Sequence, residues 1–247
     1  MTRRLMKLIV PDLVWNQETY GRFLEGYVSK TTRWLDAGCG WRLLATDLER
    51  LEDSLVSAVA LVVGTDVEFA SLAKHRNISS RTCASLDALP FSGQSFDLIT
   101  CNMVVEHLDQ PERCFAEMAR VLAPNGVLVI HTPNLLNYLV FANHTLGRIL
   151  PRQFVLGLVR ASENRQESDV FPTRYRANSV GKLRRTLEGV NLRPEAVQVL
   201  TGPQPLFGFF APLALLELLW MRATLSFAPR FGSSILIAGR APEGPLS

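Results

Sequence analysis

Between Trp15 and Val28 the apolar residues Tyr20, Phe23, Leu24 and Tyr27 recur at intervals of three and four, the spacing of one helix face. The pattern then shortens. Arg33-Trp34-Leu35-Asp36 is a brief apolar run closed by a carboxylate, and Gly38 and Gly40 follow at once. Glycine suits a sharp turn or a close approach of backbone to a ligand, because it has no Cβ. The stretch predicts a strand, a tight turn and a helix starting at Trp41, whose first N–H groups would face a small polar ligand. Leu43, Leu44, Leu48, Leu51 and Leu55 carry that helical period, with Asp47, Glu49, Arg50, Glu52 and Asp53 on the outer face.

Val59 to Val63 is a continuous run rich in β-branched residues, as expected of a strand buried on both faces of a parallel sheet. It ends at Gly64-Thr65-Asp66. A helix over Val67 to His75, a short strand near Arg81 to Ala84 and a loop over Ser85 to Gln94 come next. A strand over Phe96 to Cys101, a helix over Pro111 to Leu122 and a strand over Gly126 to His131 follow. Strand and helix in alternation predict an α/β, doubly wound, mostly parallel sheet with right-handed crossovers. Such sheets bind ligands beyond the carboxyl ends of their strands, and Asp36, Asp66, Ser85 and Asn102 all fall at such ends.

The alternation stops between Pro133 and about Arg176, an irregular insertion of the length that is usually functional. Helical spacing returns over Ser179 to Leu187, with Lys182, Arg184 and Arg185 as a solvated face, and late strands are expected at Ala196 to Leu200 and Ser234 to Ala238. Between these strands lies the apolar tract 206–221. Pro212 and Glu217 break it, and it is too short for a spanning helix. Burial in the domain, a homodimer interface, a hydrophobic substrate pocket and peripheral membrane or lipid contact all remain open for it.

Composition narrows the class. The chain has 247 residues, 47% hydrophobic and 20% charged, with a formal net charge of +3, which predicts one globular domain and gives no reason to expect nucleic acid as a partner. Cys39, Cys83, Cys101 and Cys114 form no C-x-x-C pair, as expected of free thiols in a reducing, cytoplasmic setting. No metal-ligand spacing stands out, so no metal is expected. The opening residues, where Pro11 and Asp12 interrupt a very short apolar run, do not make a signal peptide.

Five motifs in order carry a resemblance. Leu35-Asp36-Ala37-Gly38-Cys39-Gly40, Gly64-Thr65-Asp66, Leu89-Pro90-Phe91 with Ser95-Phe96-Asp97-Leu98-Ile99, Glu106-His107-Leu108, and Val121-Leu122-Ala123-Pro124-Asn125-Gly126 together resemble the class I S-adenosylmethionine-dependent methyltransferases. The resemblance covers roughly Trp34 to Asn134 and is closest to the methyltransferase type 11 domain. It implies a Rossmann-like sheet, a small-molecule substrate, and S-adenosylmethionine held at nine positions. Asp36, Gly38, Cys39 and Gly40 would lie beside the methionine end. Asp66, with Val67, would take the ribose hydroxyls, since a carboxylate offers a diol only acceptors. Ser85 and Leu86 would face the adenine, and Asn102 would stand at the end of the fourth strand. It also implies a single methyltransferase domain over 1–247, divided into a helical cover (1–32), a cofactor-binding core (33–132), a substrate-side insertion and helix (133–190), and C-terminal strands (191–247).

Three departures mark this chain. Arg42 stands where relatives often have a third glycine, Ser85 stands where many have an aspartate facing the adenine amino group, and the span from Asp36 to Asp66 is longer than usual. Methyl transfer from a sulfonium is an in-line displacement that needs alignment, exclusion of water and, for some nucleophiles, a base. His107 is the candidate base, because an unperturbed imidazole titrates near neutrality. His131, Asn134, Tyr138, Arg174 and Tyr175 are the expected substrate-side residues, with Arg174, Tyr175 and Arg176 read either as an anion contact or as ordinary surface. Two alternatives are a methyltransferase-like domain serving in binding or assembly and a nicotinamide-dependent oxidoreductase. The latter's G-x-G-x-x-G fingerprint fails here at Leu43.

Overall fold

Alternation along the central strands sets which residues enter each side of the sheet. In a computed structural model, which describes residues 3–11, 13–146, 172–202 and 211–244, a seven-stranded sheet is built from β1 (Arg33–Ala37), β2 (Leu61–Asp66), β3 (Ser80–Cys83), β4 (Phe96–Asn102), β5 (Leu122–Pro133), β6 (Arg193–Leu200) and β7 (Ser234–Arg240). The order is β3-β2-β1-β4-β5-β7-β6. β1 to β5 pair in parallel, and β7 runs antiparallel to both β5 and β6. The expected α/β, mostly parallel fold is therefore the one observed.

Successive side chains point to opposite faces, so Ile99, Cys101, Leu128, Ile130, Ile235 and Ile237 enter one layer. There they meet Phe115 and Met118 of α5 (Pro111–Val121) and Leu183 and Leu187 of α7 (Val180–Gly189). Trp34, Leu98, Val127, Val129, Leu236 and Ala238 enter the other, under Tyr20 and Leu24 of α2 (Asn16–Leu24) and Leu55 of α3 (Glu49–Ser57). Proline at the first position starts α5 without losing a helical hydrogen bond, and Ser179 caps α7.

Several boundaries differ from the sequence reading. The helix expected at Trp41 starts eight residues later, at Glu49, after a short 3-10 turn over Thr46–Leu48. Leu43 and Leu44 are buried all the same, because the loop is tied down by tertiary contacts. Leu44 N–H donates to the buried Glu52 carboxylate (2.9 Å), and Leu43 O accepts from Asn102 Nδ2 (3.1 Å). Leucine spacing alone cannot separate such a pinned loop from a helical turn. β2 begins at Leu61, and its outer end is not buried on both faces: Leu61 is exposed and Val62 and Val63 are half-buried. It lies next to the edge strand β3, under short cover that includes α4 (Phe69–Ala73), itself shorter than the expected 67–75. β5 starts directly from α5 at Leu122, with Asn125 in the left-handed region (φ 61) ahead of Gly126.

An N-terminal helix α1 (Arg3–Ile9) packs on α8 (Ala211–Phe227) through Val10, Leu13, Leu218 and Met221. The insertion after β5 opens with α6 (Tyr138–Leu146). Its stretch 147–171 and the first part of the apolar tract, 203–210, lie outside the described residues. Among the described residues no helix is long and apolar enough to cross a membrane.

Two linked buried hydrogen bonds tie the core to the glycine turn. Trp34 Nε1 donates to Thr100 Oγ1 (2.7 Å), and the Thr100 hydroxyl donates to Asp36 Oδ1 (2.6 Å). Trp34→Phe removes the first donor and leaves a buried oxygen short of a partner. It is expected to cost about 1–2 kcal/mol, read as a lower urea midpoint at unchanged slope.

Candidate functional site

The carboxyl ends of β1, β2, β4 and β5 open on a cleft of about 1390 Å³. Its floor is the turn Gly38-Cys39-Gly40. Both glycines adopt left-handed backbone, with φ of 75° at Gly38 and 52° at Gly40. A Cβ on Gly38 would stand 2.4 Å from Val104 Cγ2, whereas one on Gly40 would meet no atom within 4 Å. The first glycine is needed for packing, and the second faces open space where a ligand can lie against bare backbone.

Asp66 stands beside this turn at the end of β2. Gly40 N–H donates to its Oδ2 (2.9 Å) and Glu68 N–H to its Oδ1 (2.9 Å). The carboxylate is thus fixed in orientation at the wall of the cleft, and each oxygen keeps a further acceptor site. Val67, Ser85, Leu86, Asn102 and Met103 line the same cavity. Acceptors for a diol, an apolar wall and a bare glycine turn fit S-adenosylmethionine. Asp66 and Val67 would hold its ribose, Ser85 and Leu86 its adenine, and Gly38 to Gly40 its methionine end.

Asp36 does not line the cleft. Alternation sends it to the same face as Trp34, where it is buried under α2 and held by Thr100. Burial pushes its carboxyl up to about 7, with the Thr100 hydrogen bond pulling the other way and Glu52 and Asp66 adding to the rise. A direct contact with the methionine end, as the sequence suggested, is corrected to a place beneath the turn. Asp36 shares that place with Cys39 and His75, their ligating atoms within 4.8 Å of one another. His75 Nδ1 accepts from Ile78 N–H (3.2 Å), so the ring carries its proton on Nε2. In that neutral form neither nitrogen offers a lone pair to a cation.

His107, the candidate base, and, of the substrate-side candidates, His131 reach the cleft. His107 Nδ1 is 3.3 Å from Pro172 O, and its Nε2 is 3.9 Å from the Glu106 carboxylate. Asn134, Tyr138, Arg174 and Tyr175 do not line the cavity. Asn134 is buried and binds Arg230 O and Gly232 O, locking the end of β5 to the turn before β7. Tyr138 donates to Glu217 (3.1 Å), a carboxyl that burial pushes up to about 7. Arg174 pairs with Asp109 (2.9 Å), and Tyr175, at φ 51°, is buried with its N–H on Glu106 O. These four fasten the insertion to the core.

Gln17 and Ser234 were missed. Gln17 of α2 exchanges two hydrogen bonds with Asn102 (3.0 and 3.2 Å), and Ser234 Oγ lies 3.0 Å from His131 Nε2. No motif marks either residue, since each gains its partner only when α2 and β7 close on β4 and β5.

Residues 35–130 match the family described as a methyltransferase domain. Curated relatives include a ubiquinone biosynthesis O-methyltransferase of Parvibaculum lavamentivorans, 32% identical over 102 residues (41% of this chain, 40% of that protein). A malonyl-[acyl-carrier protein] O-methyltransferase of Hahella chejuensis is 36% identical over 100 residues (40% and 35%). The chain spans about two fifths of the length of these relatives. Among solved structures, an S-adenosylmethionine-dependent methyltransferase from Mesorhizobium loti superposes with TM-score 0.56 at 15% identity, covering 92% of this chain and 98% of that one. The [4+2]-cyclase SpnF superposes with TM-score 0.51 at 16% identity, covering 98% and 82%. Identities this low speak for the fold alone, and the cyclase illustrates how one fold serves different chemistry. The family match thus runs from β1 into β5, and the cleft stands at the strand ends of this methyltransferase-domain stretch.

Proposed function

We propose that this protein transfers a methyl group from S-adenosylmethionine to a small-molecule acceptor, with an oxygen nucleophile favoured. The observation that carries the reading is Asp66, its carboxylate fixed by Gly40 and Glu68 N–H beside the open face of the glycine turn. The names of two curated relatives support the choice of oxygen. When bound, the cofactor supplies an electrophilic methyl on a sulfonium. The chain's own part is to hold the ribose on Asp66, to press the methionine end against Gly38 to Gly40, and to keep acceptor and methyl in line within the cleft.

Calorimetric titration with S-adenosylmethionine, S-adenosylhomocysteine and NADH tests the reading. Both sulfur nucleotides should bind and NADH should give no heat. Silence with both sulfur nucleotides would overturn the proposal, and binding without turnover in cell extract would favour the assembly role. The nicotinamide reading fares worse, because Leu43, at the third-glycine position of its fingerprint, is buried in the core.

The acceptor we favour is hydrophobic or lipid-linked. α8 exposes Leu213, Leu215, Leu216, Leu219 and Trp220 while burying Ala214, Leu218 and Met221, an apolar outer face of the kind that marks interaction surfaces. Flotation with liposomes and radiolabel transfer into a lipid extract check this, and failure of both removes the preference.

A further inference from the structure

Three polar side chains from adjacent strands form a continuous row at the cleft. Asn102 on β4 pairs with His131 on β5 in register, and Ser234 on β7 lies diagonally opposite His131 on the same face. His131 Nδ1 is 2.9 Å from Asn102 Oδ1, and Nε2 is 3.0 Å from Ser234 Oγ. Asn102, His131 and Ser234 all line the cavity.

The direction of the row follows from its neighbours. Asn102 Nδ2 donates to Leu43 O (3.1 Å), a carbonyl that only accepts, so the amide cannot be flipped and its Oδ1 faces the imidazole. An amide oxygen only accepts, so His131 Nδ1 carries the proton. Nε2 is then the acceptor, and the Ser234 hydroxyl donates to it. This is the logic of a serine–histidine–amide triad, in which the third residue fixes the tautomer that makes Nε2 basic.

We propose that Ser234, His131 and Asn102 form a proton relay for a hydroxyl-bearing methyl acceptor, with Ser234 the group that meets the acceptor. This rests on the methyltransferase reading above. In the step, the acceptor oxygen forms a new bond to the methyl carbon, and the methyl–sulfur bond breaks with its electron pair passing to sulfur. The acceptor's proton goes to Ser234 Oγ as the Ser234 proton moves to His131 Nε2. Ser234 ends unchanged, His131 becomes an imidazolium, and Asn102 holds its Nδ1–H. His131 acts through Ser234, and Asn102 is a positioning residue.

Charge explains why a buried imidazole can serve. His131 is 1% exposed, and burial pushes its titration down to about 4, so a lone imidazolium there is disfavoured. During transfer, however, the site loses the sulfonium's positive charge as the ring gains one, and the number of buried charges stays constant. The groups facing the ring are Tyr20 of α2, stacked at 5.3 Å, with Asn102 from β4 and Ser234 from β7. Gln17 stands behind Asn102. None of these is charged at neutral pH, and the charged residues of α2 are Glu18, which lines the same cleft, and Arg22, which pairs with it.

The test follows the imidazole nitrogens by NMR in protein labelled with 15N-histidine, with His131 assigned by His131→Gln. The unliganded protein should show the Nδ1–H tautomer. In the S-adenosylhomocysteine complex the ring should titrate at least one pH unit higher than in the S-adenosylmethionine complex, a tenfold change in proton affinity. Ser234→Ala should bind both nucleotides within twofold of wild type, keep the tautomer, and shift only the Nε2 signal. An Nε2–H tautomer, or equal midpoints in the two complexes, would overturn the relay, since a merely structural histidine stays neutral in both. If neither nucleotide binds, the methyltransferase reading fails, and the tautomer and the Ser234→Ala shift still decide whether the row is ordered as proposed.

Discussion

Asp66→Ala should weaken S-adenosylmethionine binding by about 3 kcal/mol, on the order of 100-fold in Kd. Hydrogen bonds to a charged group contribute about 1.5–3 kcal/mol each, and the two carboxylate oxygens suit the two hydroxyls of one ribose. Asp66 also holds the turn, because its oxygens take the N–H groups of Gly40 and Glu68. In the proposed binding mode alanine removes both ribose acceptors and loosens the turn on which the methionine end would lie. Asp66→Asn separates the two effects. It keeps one acceptor oxygen and loses the charge, so its loss should be nearer tenfold. Calorimetry gives both constants, and circular dichroism with a urea midpoint shows whether the variants are folded. Wild-type affinity in a folded Asp66→Ala would remove the ribose assignment.

Asp36→Asn should change how stability depends on pH. Burial raises the Asp36 carboxyl to about 7 in the folded protein, against about 4 in an unfolded chain. Between those values the folded state binds the extra proton, so stability falls as pH rises. The sign is opposite to that of an ion-paired aspartate. A carboxyl raised this far accounts for about 4 kcal/mol of stability present below pH 4 and lost as pH rises through 7. The asparagine variant has no such proton to lose. Urea unfolding of both proteins at pH 4.5 and pH 7.5 should give a difference between them that shifts by several kcal/mol in favour of the variant at the higher pH. Parallel pH profiles would show that Asp36 titrates normally. A cation lying above the glycine turn favours the charged carboxyl, so S-adenosylmethionine affinity should rise with pH over the same window in wild type and not in the variant.

How much of this could be read from the chain divides along the range of the interactions. Leu98, Ile99 and Cys101 sort to opposite layers by a period of two, and Phe115, Met118 and Ala119 mark the buried side of α5 by a period near four. These patterns come from local backbone geometry, and they fixed the fold class. Applied to β1, the same alternation would have placed Asp36 beside Trp34, inside the sheet layer and away from the ligand. The loop after Gly40 was read as helix because leucines pinned by Glu52 and Asn102 keep a helical spacing without a helix.

The site divides in the same way. That Gly38, Gly40 and Asp66 face the cleft was legible because the turn and the strand end that present them are local, and both lie within the stretch that matches the family. Asn134, Tyr138, Arg174 and Tyr175 resembled ligand contacts by residue type, and packing turned them into fasteners on Gly232, Glu217, Asp109 and Glu106. Gln17, Asn102, His131 and Ser234 span more than two hundred residues of chain and meet only where α2 crosses the strand ends. The sequence by itself determined the order of strands and helices, the glycine turn and the carboxylate beside it, since each follows from a few consecutive residues. Only the tertiary structure decided that Asp36 is buried, that Asn102 cannot flip, and that His131 is basic at Nε2, because each depends on a partner brought from a distant part of the chain.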